Sequence, residues 1–491
     1  MAILNIRRGQ RVTSVEFDPP MQLSRVLAEH DVYVPQPCGG RGSCGKCAVL
    51  LSGNVSNPNT AEDRCGVRLS CQAVLLGDAD VTLPDALPMQ QIESGRHTHL
   101  VSVKPMAGHI GAAVDVGTTT IVLQLYDLHT GSLIGSSSML NPQTSIAADV
   151  IGRIDAALHK KADELRLQAK NAITTLLASA CAQAGIVTAD VSSMVIAGNT
   201  TMLYLLTGKN PYALSRAPFE ADCLFGTETE FLKRSVYLPN CLHAFVGADT
   251  TCALLACGMT ERDETALLCD IGTNGELALW HHGKLYISST AAGPAFEGAG
   301  ISCGCSSVFG AIDRVDVVNG ALHCHTIGNQ PAVGICGSGL LDAVAALLDT
   351  ENMDETGYLE DERVLLAEDV ILTQSDIRAV QLAKAATYAG IMSLLSAAGC
   401  SVADVKTVYI AGGFGSHLNL RSAVRVGLIP EELAGRVHVI GNAALDGAAM
   451  LLMDVSKRSD IAAFSNNTMH VRLDGNPAFA DRYVEAMLFE N

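Results

Sequence analysis

One short pattern occurs twice in this 491-residue chain and restricts its fold more than any other feature. Ala112-Ala113-Val114-Asp115-Val116-Gly117-Thr118-Thr119-Thr120 runs into the apolar segment Ile121-Val122-Leu123-Gln124-Leu125. It returns as Leu267-Leu268-Cys269-Asp270-Ile271-Gly272-Thr273-Asn274-Gly275-Glu276, followed by Leu277-Ala278-Leu279-Trp280. Each copy reads as an apolar strand, an aspartate, a glycine turn and a second strand. A further echo links Val195-Ile196-Ala197-Gly198-Asn199 to Tyr409-Ile410-Ala411-Gly412-Gly413. Both halves are thus a hairpin, helices, then an Ile-Ala-Gly strand, the mark of an internal repeat. Asp115 to Ala197 spans 82 positions and Asp270 to Ala411 spans 141, so the second half is expected to carry an insertion of about 60 residues. One such hairpin would be an ordinary turn. Two, each with its matching strand, point to a site in which turn amides and threonine hydroxyls hold phosphate oxygens and the aspartates approach a magnesium ion or its waters.

A second pattern lies upstream. Cys38, Cys44 and Cys47 are spaced C-x5-C-x2-C, and Cys71 follows alone. Gly39, Gly40, Gly42 and Gly45 let the loop wrap closely and aim N–H groups at thiolate and sulfide. Three thiolates from one loop and a fourth from a distant segment suit a [2Fe-2S] cluster. A structural zinc site is the main alternative, although zinc sites usually pair two short spacings. The stretch Gly40 to Lys46 also matches G-x4-G-K, but Cys47 stands where a phosphate loop needs Ser or Thr. Cys65 competes with Cys71 for the fourth position. Around these cysteines, Ile3 to Ile6, Val12 to Phe17, Cys47 to Leu51 and Val81 to Leu83 read as strands, and Gln22 to His30 as a helix.

Bulk properties exclude several classes. With 48% hydrophobic residues and mean hydropathy +0.26, the chain can bury two or three cores. Net charge is −18, and residues 1–86, with eight Lys or Arg against nine Asp or Glu, carry almost none of it. So acidic a remainder would repel a phosphate backbone, which argues against nucleic-acid binding. The uncharged stretch Asn171 to Ala189 has helical apolar spacing (Leu165, Ala169, Ile173, Leu176, Leu177, Ala180) with Gly185 as a stop, and its Asn, Gln, Ser and Thr argue against a membrane span. Met1 to Arg8 lacks the apolar run of a secretory signal, and sixteen cysteines without a small-domain framework fit a reducing cytoplasm. Cys303-Gly304-Cys305, His281-His282 and His323-Cys324-His325 lack a second ligand pair and read as core or surface residues. Gly337-Ser338-Gly339 reads as a helix start rather than a hydrolase nucleophile elbow.

The duplicated segments resemble the ATPase superfamily of actin, sugar kinases and heat-shock chaperones. Asp115 to Thr120 looks like its first phosphate motif, Asp270 to Glu276 its second, and Ile410 to Gly415 its adenosine motif. The resemblance implies an α/β two-lobed, actin-like ATPase with a duplicated ribonuclease-H-like fold. It implies catalytic roles for Asp115, Asp249 and Asp270, with Asp249 at the start of an inter-lobe helix. Gly117, Thr118, Thr119, Gly272, Thr273, Asn274, Gly412 and Gly413 would bind ATP, and Glu297, in Gly293 to Gly298, would lie near the adenosine. Asn442 to Ala449 resembles the closing inter-lobe helix, whose small residues would let two helices cross closely.

Arg68-Leu69-Ser70-Cys71-Gln72 resembles the closing segment of two-iron ferredoxins, which favours Cys71 as fourth ligand and implies an α+β, β-grasp domain. The expected organisation is therefore a ferredoxin domain at 1–86, a linker at 87–110, and ATPase lobes at 111–246 and 247–491. A ferredoxin joined to this ATPase is similar to the reductive activators of corrinoid-dependent methyltransferases, and Gly334 to Gly339 and Ile371 to Ile377 look like segments of that family. What it implies is ATP- and Mg2+-dependent transfer of one electron from a [2Fe-2S] cluster to a corrinoid protein, returning Co(II) to Co(I), with a low-potential donor upstream. Longer members insert a middle domain, which Leu87 to Gly111 has no room for. An activator of another low-potential enzyme and a non-catalytic redox sensor stay open as alternatives. The oligomeric state is also open, a homodimer included.

Overall fold

The protein is described from a computed structural model covering residues 1–8, 11–30, 32, 34, 47–59, 62, 68–83, 104–106, 108–414 and 418–489. Its N-terminal part is one mixed sheet with a helix across it: β1 (Ala2–Arg8), β2 (Arg11–Phe17), β3 (Met21–Gln22), α1 (Leu23–Glu29), β4 (Ala48–Val55), β5 (Arg68–Leu69) and β6 (Val74–Thr82). The strand order is β2-β1-β6-β4-β5, with β1 parallel to β6 and β3 on β6's end. Leu4, Ile6, Leu23, Val26, Leu27, Leu75 and Val81 form its core. The closing strand starts seven residues before the expected Val81. Gly77, Asp78 and Asp80 interrupt the apolar run, but Leu75, Ala79 and Val81 still alternate onto the buried face. The expected linker falls largely at 84–103, outside the described residues.

The repeat folds as two sheets of the same plan. The first is built from β7 (Ile110–Val116), β8 (Thr120–Asp127), β9 (Leu133–Leu140), β10 (Val191–Gly198), β11 (Thr227–Phe231) and β12 (Arg234–Leu238), ordered β11-β12-β10-β7-β8-β9. Helices α2 (Val150–Ala156), α3 (Ala162–Ala184) and α4 (Thr200–Thr207) accompany it, and α5 (Ala248–Cys257) leads out. In α3 the apolar residues listed from the sequence are all buried, and Gly185 caps it at φ +68°.

The second sheet contains β13 (Ala266–Ile271), β14 (Gly275–His281) and β15 (Lys284–Thr290). After these come β16 (Ala311–Val318), β17 (Ala321–Thr326), β18 (Gly334–Ile335), α6 (Gly337–Asp349), β19 (Arg363–Ala367) and β20 (Val370–Thr373). The chain continues through α7 (Gln374–Ala398), β21 (Thr407–Ala411), α8 (Leu420–Arg425), β22 (Val437–Gly441), α9 (Ala443–Met453), α10 (Lys457–Phe464), β23 (Thr468–His470) and α11 (Pro477–Glu485). The order is β22-β21-β13-β14-β15-β23. In both sheets two antiparallel pairings follow the first strand and two parallel pairings lie on its other side, so β12-β10-β7-β8-β9 repeats as β22-β21-β13-β14-β15. The expected insertion is the β16–β20 and α6 block.

Two helices then join the halves. Helix α9 lays Leu445, Ala448, Ala449 and Leu452 on Ala113 and Val195 of the first sheet. Helix α5 lays Ala253 and Leu254 on Leu268, Ala278 and Ala411 of the second. Where the helices meet, a Cβ on Gly447 would lie 2.0 Å from the Cys252 carbonyl oxygen, so the close crossing needs glycine there. Among the described residues, no helix is long and apolar enough to cross a membrane.

Candidate functional site

Both Asp-Gly-Thr turns open on one cavity of about 240 Å³ between the sheets. Asp115 and Asp270 stand near the C-terminal ends of β7 and β13, and Asp249 is in the first turn of α5. Gly117, Thr118 and Thr119 line one wall, and Gly272, Thr273 and Asn274 the opposite one. Gly412 and Gly413 follow β21 at its edge. Gly412 has φ +91°, and a Cβ there would come 2.7 Å from the Asp270 carboxylate, so only glycine lets the backbone pass this close. All the sequence-derived residues of the ATPase part therefore meet in one place.

The cavity is strongly acidic. Burial raises Asp115 to about 7, with Asp249 adding repulsion and Asn442 opposing it. Burial, then Asp249 and Asp115, raise Asp270 to about 7. Burial raises Asp249 to about 6 against the N–H of Thr250. Glu276, on β14, is held well above the usual carboxylate range by burial and by Asp249. Among the described residues, no lysine or arginine lines the cavity.

Glu297 lines the same cavity as Gly412 and Gly413 and links the two turns. It ends the short helical turn Pro294–Glu297, and its carboxylate accepts from the Thr273 N–H at 2.8 Å and from the Thr273 hydroxyl at 2.8 Å. It also accepts from the Thr119 hydroxyl across the cavity. The carboxylate thus bridges the two turns. Beside it, Phe296 stacks on Phe414 with ring centroids 4.8 Å apart, giving the cavity an aromatic border.

Three polar residues of the site lie in segments the sequence marks, without a side-chain role of their own there. Asn199 caps α4 and donates to the Thr118 hydroxyl at 3.1 Å. Asn442 caps α9 and donates to Asp115 at 3.1 Å, tying the crossing helix to the first aspartate. Both asparagines immediately follow or open a recognised repeat segment, a signal that marks a cap before it marks a site. Glu276 was visible as an acid inside an apolar strand. Cys305 and Cys336, of which Cys305 was read as core or surface, also line the cavity.

In the N-terminal domain, Cys47 precedes β4 and Cys71 follows β5, both 1% exposed. They are neighbours: a hydrogen bond from Cys71 is the main cause holding the Cys47 thiol down to about 6. Buried Glu62 accepts from Arg68 Nε at 2.9 Å and from the Leu69 N–H at 2.9 Å, which fixes the approach to Cys71. Gln72 Nε2 lies 3.5 Å from the Cys71 sulfur. Cys38, Cys44 and Cys65 lie outside the described residues. Among the described residues, no three His, Cys, Asp or Glu side chains are grouped to hold a metal ion.

Comparison with known proteins accounts for all three parts. Residues 8–76 match the model for a 2Fe-2S iron-sulfur cluster binding domain, 110–262 the RACo middle region, and 264–491 the C-terminal, ASKHA domain of RACo. The middle-region match falls on the segment read as the first lobe rather than on an insertion before it. The chain is 36% identical over 421 residues to the corrinoid activation enzyme RamQ of Eubacterium limosum, covering 77% of this chain and 70% of that one. It is 26% identical over 394 residues to the [Co(II) methylated amine-specific corrinoid protein] reductase of Methanosarcina barkeri, covering 72% and 71%. A solved structure of a reductive activator for a corrinoid, iron-sulfur protein superposes with a TM-score of 0.73 at 25% identity, over 99% of this chain and 98% of that one. The duplicated sheets, the shared acidic cavity and the upstream cysteine domain are thus those of the RACo family of corrinoid activation enzymes, to which this chain belongs.

Proposed function

We propose that the protein is an ATP-hydrolysing reductive activator that delivers one electron to a corrinoid protein of a methyltransferase system, converting inactive Co(II) to Co(I). The observation that carries this reading is the pair of facing Asp-Gly-Thr turns, bridged by Glu297, on the same chain as a two-iron ferredoxin domain. A plant-type cluster sits near about −400 mV, and each ~60 mV of uphill one-electron transfer costs about 1.4 kcal/mol. Reaching Co(I) needs a very low potential, so the uphill step needs a source of free energy, which nucleotide binding and hydrolysis would supply.

When bound, the [2Fe-2S] cluster supplies the one-electron centre. Cys38, Cys44, Cys47 and Cys71 would hold it, and the contact between buried Cys47 and Cys71 supports Cys71 as the fourth ligand. Gly117, Thr118, Thr119, Gly272, Thr273 and Asn274 would hold the phosphates of ATP, with Gly412 and Gly413 toward the adenosine. Mg2+ suits a cavity lined by four acids, Glu276 buried and Asp115, Asp249 and Asp270 half-buried, with no lining lysine or arginine. It prefers one or two carboxylates plus waters and phosphate oxygens, and Asp115, Asp249 and Asp270 would face it. Glu297 stands between the turns where an anionic phosphate would sit, so nucleotide entry has to displace it. Because α9 packs on the first sheet and crosses α5, which packs on the second, a change at the turns would move both lobes.

We place the ferredoxin domain at 1–86, the linker at 87–110 and the lobes at 111–246 and 247–491, in a cytoplasmic protein reduced by a low-potential donor. The test is anaerobic: whole protein, a low-potential reductant, Mg-ATP and a Co(II) corrinoid protein, followed by Co(I) absorption. Co(I) is expected only with ATP. Equal rates without ATP overturn the coupling, and corrinoid partners that all remain Co(II) overturn the target.

A further inference from the structure

The first turn is tied back from behind at every carbonyl. Asn141 Nδ2 donates to the Gly117 carbonyl at 2.8 Å, Arg153 Nη2 to the Thr118 carbonyl at 2.5 Å, and the Asn141 N–H to the Thr119 carbonyl at 2.8 Å. In a trans peptide the C=O and the following N–H point in opposite directions. Drawing back the carbonyls of Gly117 and Thr118 therefore turns the N–H groups of Thr118 and Thr119 toward the cavity that these residues line.

Asn141 and Arg153 are both wholly buried. Arg153 lies on α2, its Nε donating to the Ala147 carbonyl at 3.0 Å and its Nη1 to Gln143 Oε1 at 3.1 Å. Among the described residues, no carboxylate lies within 4.0 Å of it. A buried guanidinium offset only by the more distant carboxylates of Asp149 and Glu297 is expensive, and here it sits directly behind a turn of phosphate-binding type. We infer that Arg153, with Asn141, is a positioning residue for the polyphosphate: it aims the amides of the first turn and supplies, through the Thr118 peptide, the cationic charge that the cavity lining lacks.

The inference rests on the nucleotide reading above, and its test separates the two. Isothermal titration of the anaerobic whole protein with Mg-ATP and with adenosine compares wild type, Arg153→Lys and Arg153→Met. Arg153→Met is expected to lose ATP affinity by about 10- to 100-fold, the scale of a lost charge-assisted hydrogen bond, with adenosine binding unchanged. Arg153→Lys, which keeps the charge but not the fork, is expected to fall between. It carries the test if Arg153→Met does not fold. ATP binding equal to wild type in either folded variant, or equal losses of ATP and adenosine, overturns the positioning role. A wild-type protein that binds adenosine but no ATP overturns the nucleotide reading and this inference with it.

Discussion

The two turns follow from one repeated sequence pattern, yet one is backed by a cation and the other by a neutral amide. The carbonyl of Thr118 accepts from the Arg153 guanidinium, whereas that of Thr273, at the matching place, accepts from the neutral Gly293 N–H at 3.0 Å. The N–H of Thr273 is taken by the Glu297 carboxylate. One turn is thus held ready from behind by a cation, and the other is engaged from the front by an anion. Duplication supplied the same local trace twice, and the surrounding elements made one side a fixed cradle and the other a side that has to exchange partners.

Removing either aspartate should have the largest effect and treat the turns alike. Asp115→Asn and Asp270→Asn are each expected to slow ATP-dependent Co(I) formation by about 100-fold or more, as for loss of a preorganised electrostatic group. If one variant keeps near wild-type rates while the other fails, the halves do not share the chemistry. Glu297→Gln tests the asymmetry. Weakening the competing anion is expected to tighten Mg-ATP binding by about 5- to 20-fold, within the range of a charged hydrogen bond. Weaker binding, measured by titration, would make Glu297 a nucleotide ligand instead.

Gly447→Val tests whether the crossed helices hold the halves in register. Its Cβ would meet the Cys252 carbonyl oxygen at 2.0 Å, and a loss of about 2 to 4 kcal/mol is expected in denaturant unfolding. An unchanged midpoint would mean the helices separate easily. The smallest effect is on pH. Asp115 and Asp270 sit at about 7 and Asp249 at about 6, above the ordinary aspartate value of 3.8. The folded chain therefore holds protons that the unfolded chain releases, and this contribution to stability falls as pH rises from about 4 to 7. The melting temperature without nucleotide should drop between about pH 5 and 7, less steeply in Asp270→Asn. Mg-ATP affinity should rise over the same range. A melting curve independent of pH would deny these acids their buried state.

Much of the site was legible because its residues sit in contiguous turns. Asp115 to Thr119 and Asp270 to Asn274 announce themselves by type and order, and both lie on the cavity. Arg153 and Asn141 were not legible. They are separated from the turn in sequence and resemble an ordinary helix residue and an ordinary cap, and only the fold, through the end of β9 for Asn141 and the packing of α2 for Arg153, brings them to it. Glu297 is legible as a cavity residue, but its neighbours Gly293 and Gly298 indicate a turn and not the direction of the carboxylate, which bridges Thr119 and Thr273. The strand β6 reads short in the sequence for a similar reason: Gly77 falls at an inward position and Asp78 and Asp80 at outward ones, so the apolar count is low although Leu75, Ala79 and Val81 are buried.

The sequence by itself determined the repeat, the two hairpins, the helix starts and the cysteine spacing, because these depend on backbone preference and period over a few residues. It also determined that two inter-lobe helices could cross closely, through Gly447 and its small neighbours. The tertiary structure alone decided that the turns face each other, that four acids share one cavity, and that a guanidinium backs one turn while a carboxylate bridges both. Those are matters of distance between segments up to 327 residues apart, as for Asn442 and Asp115. Burial and Coulomb interaction depend on that distance and not on order along the chain.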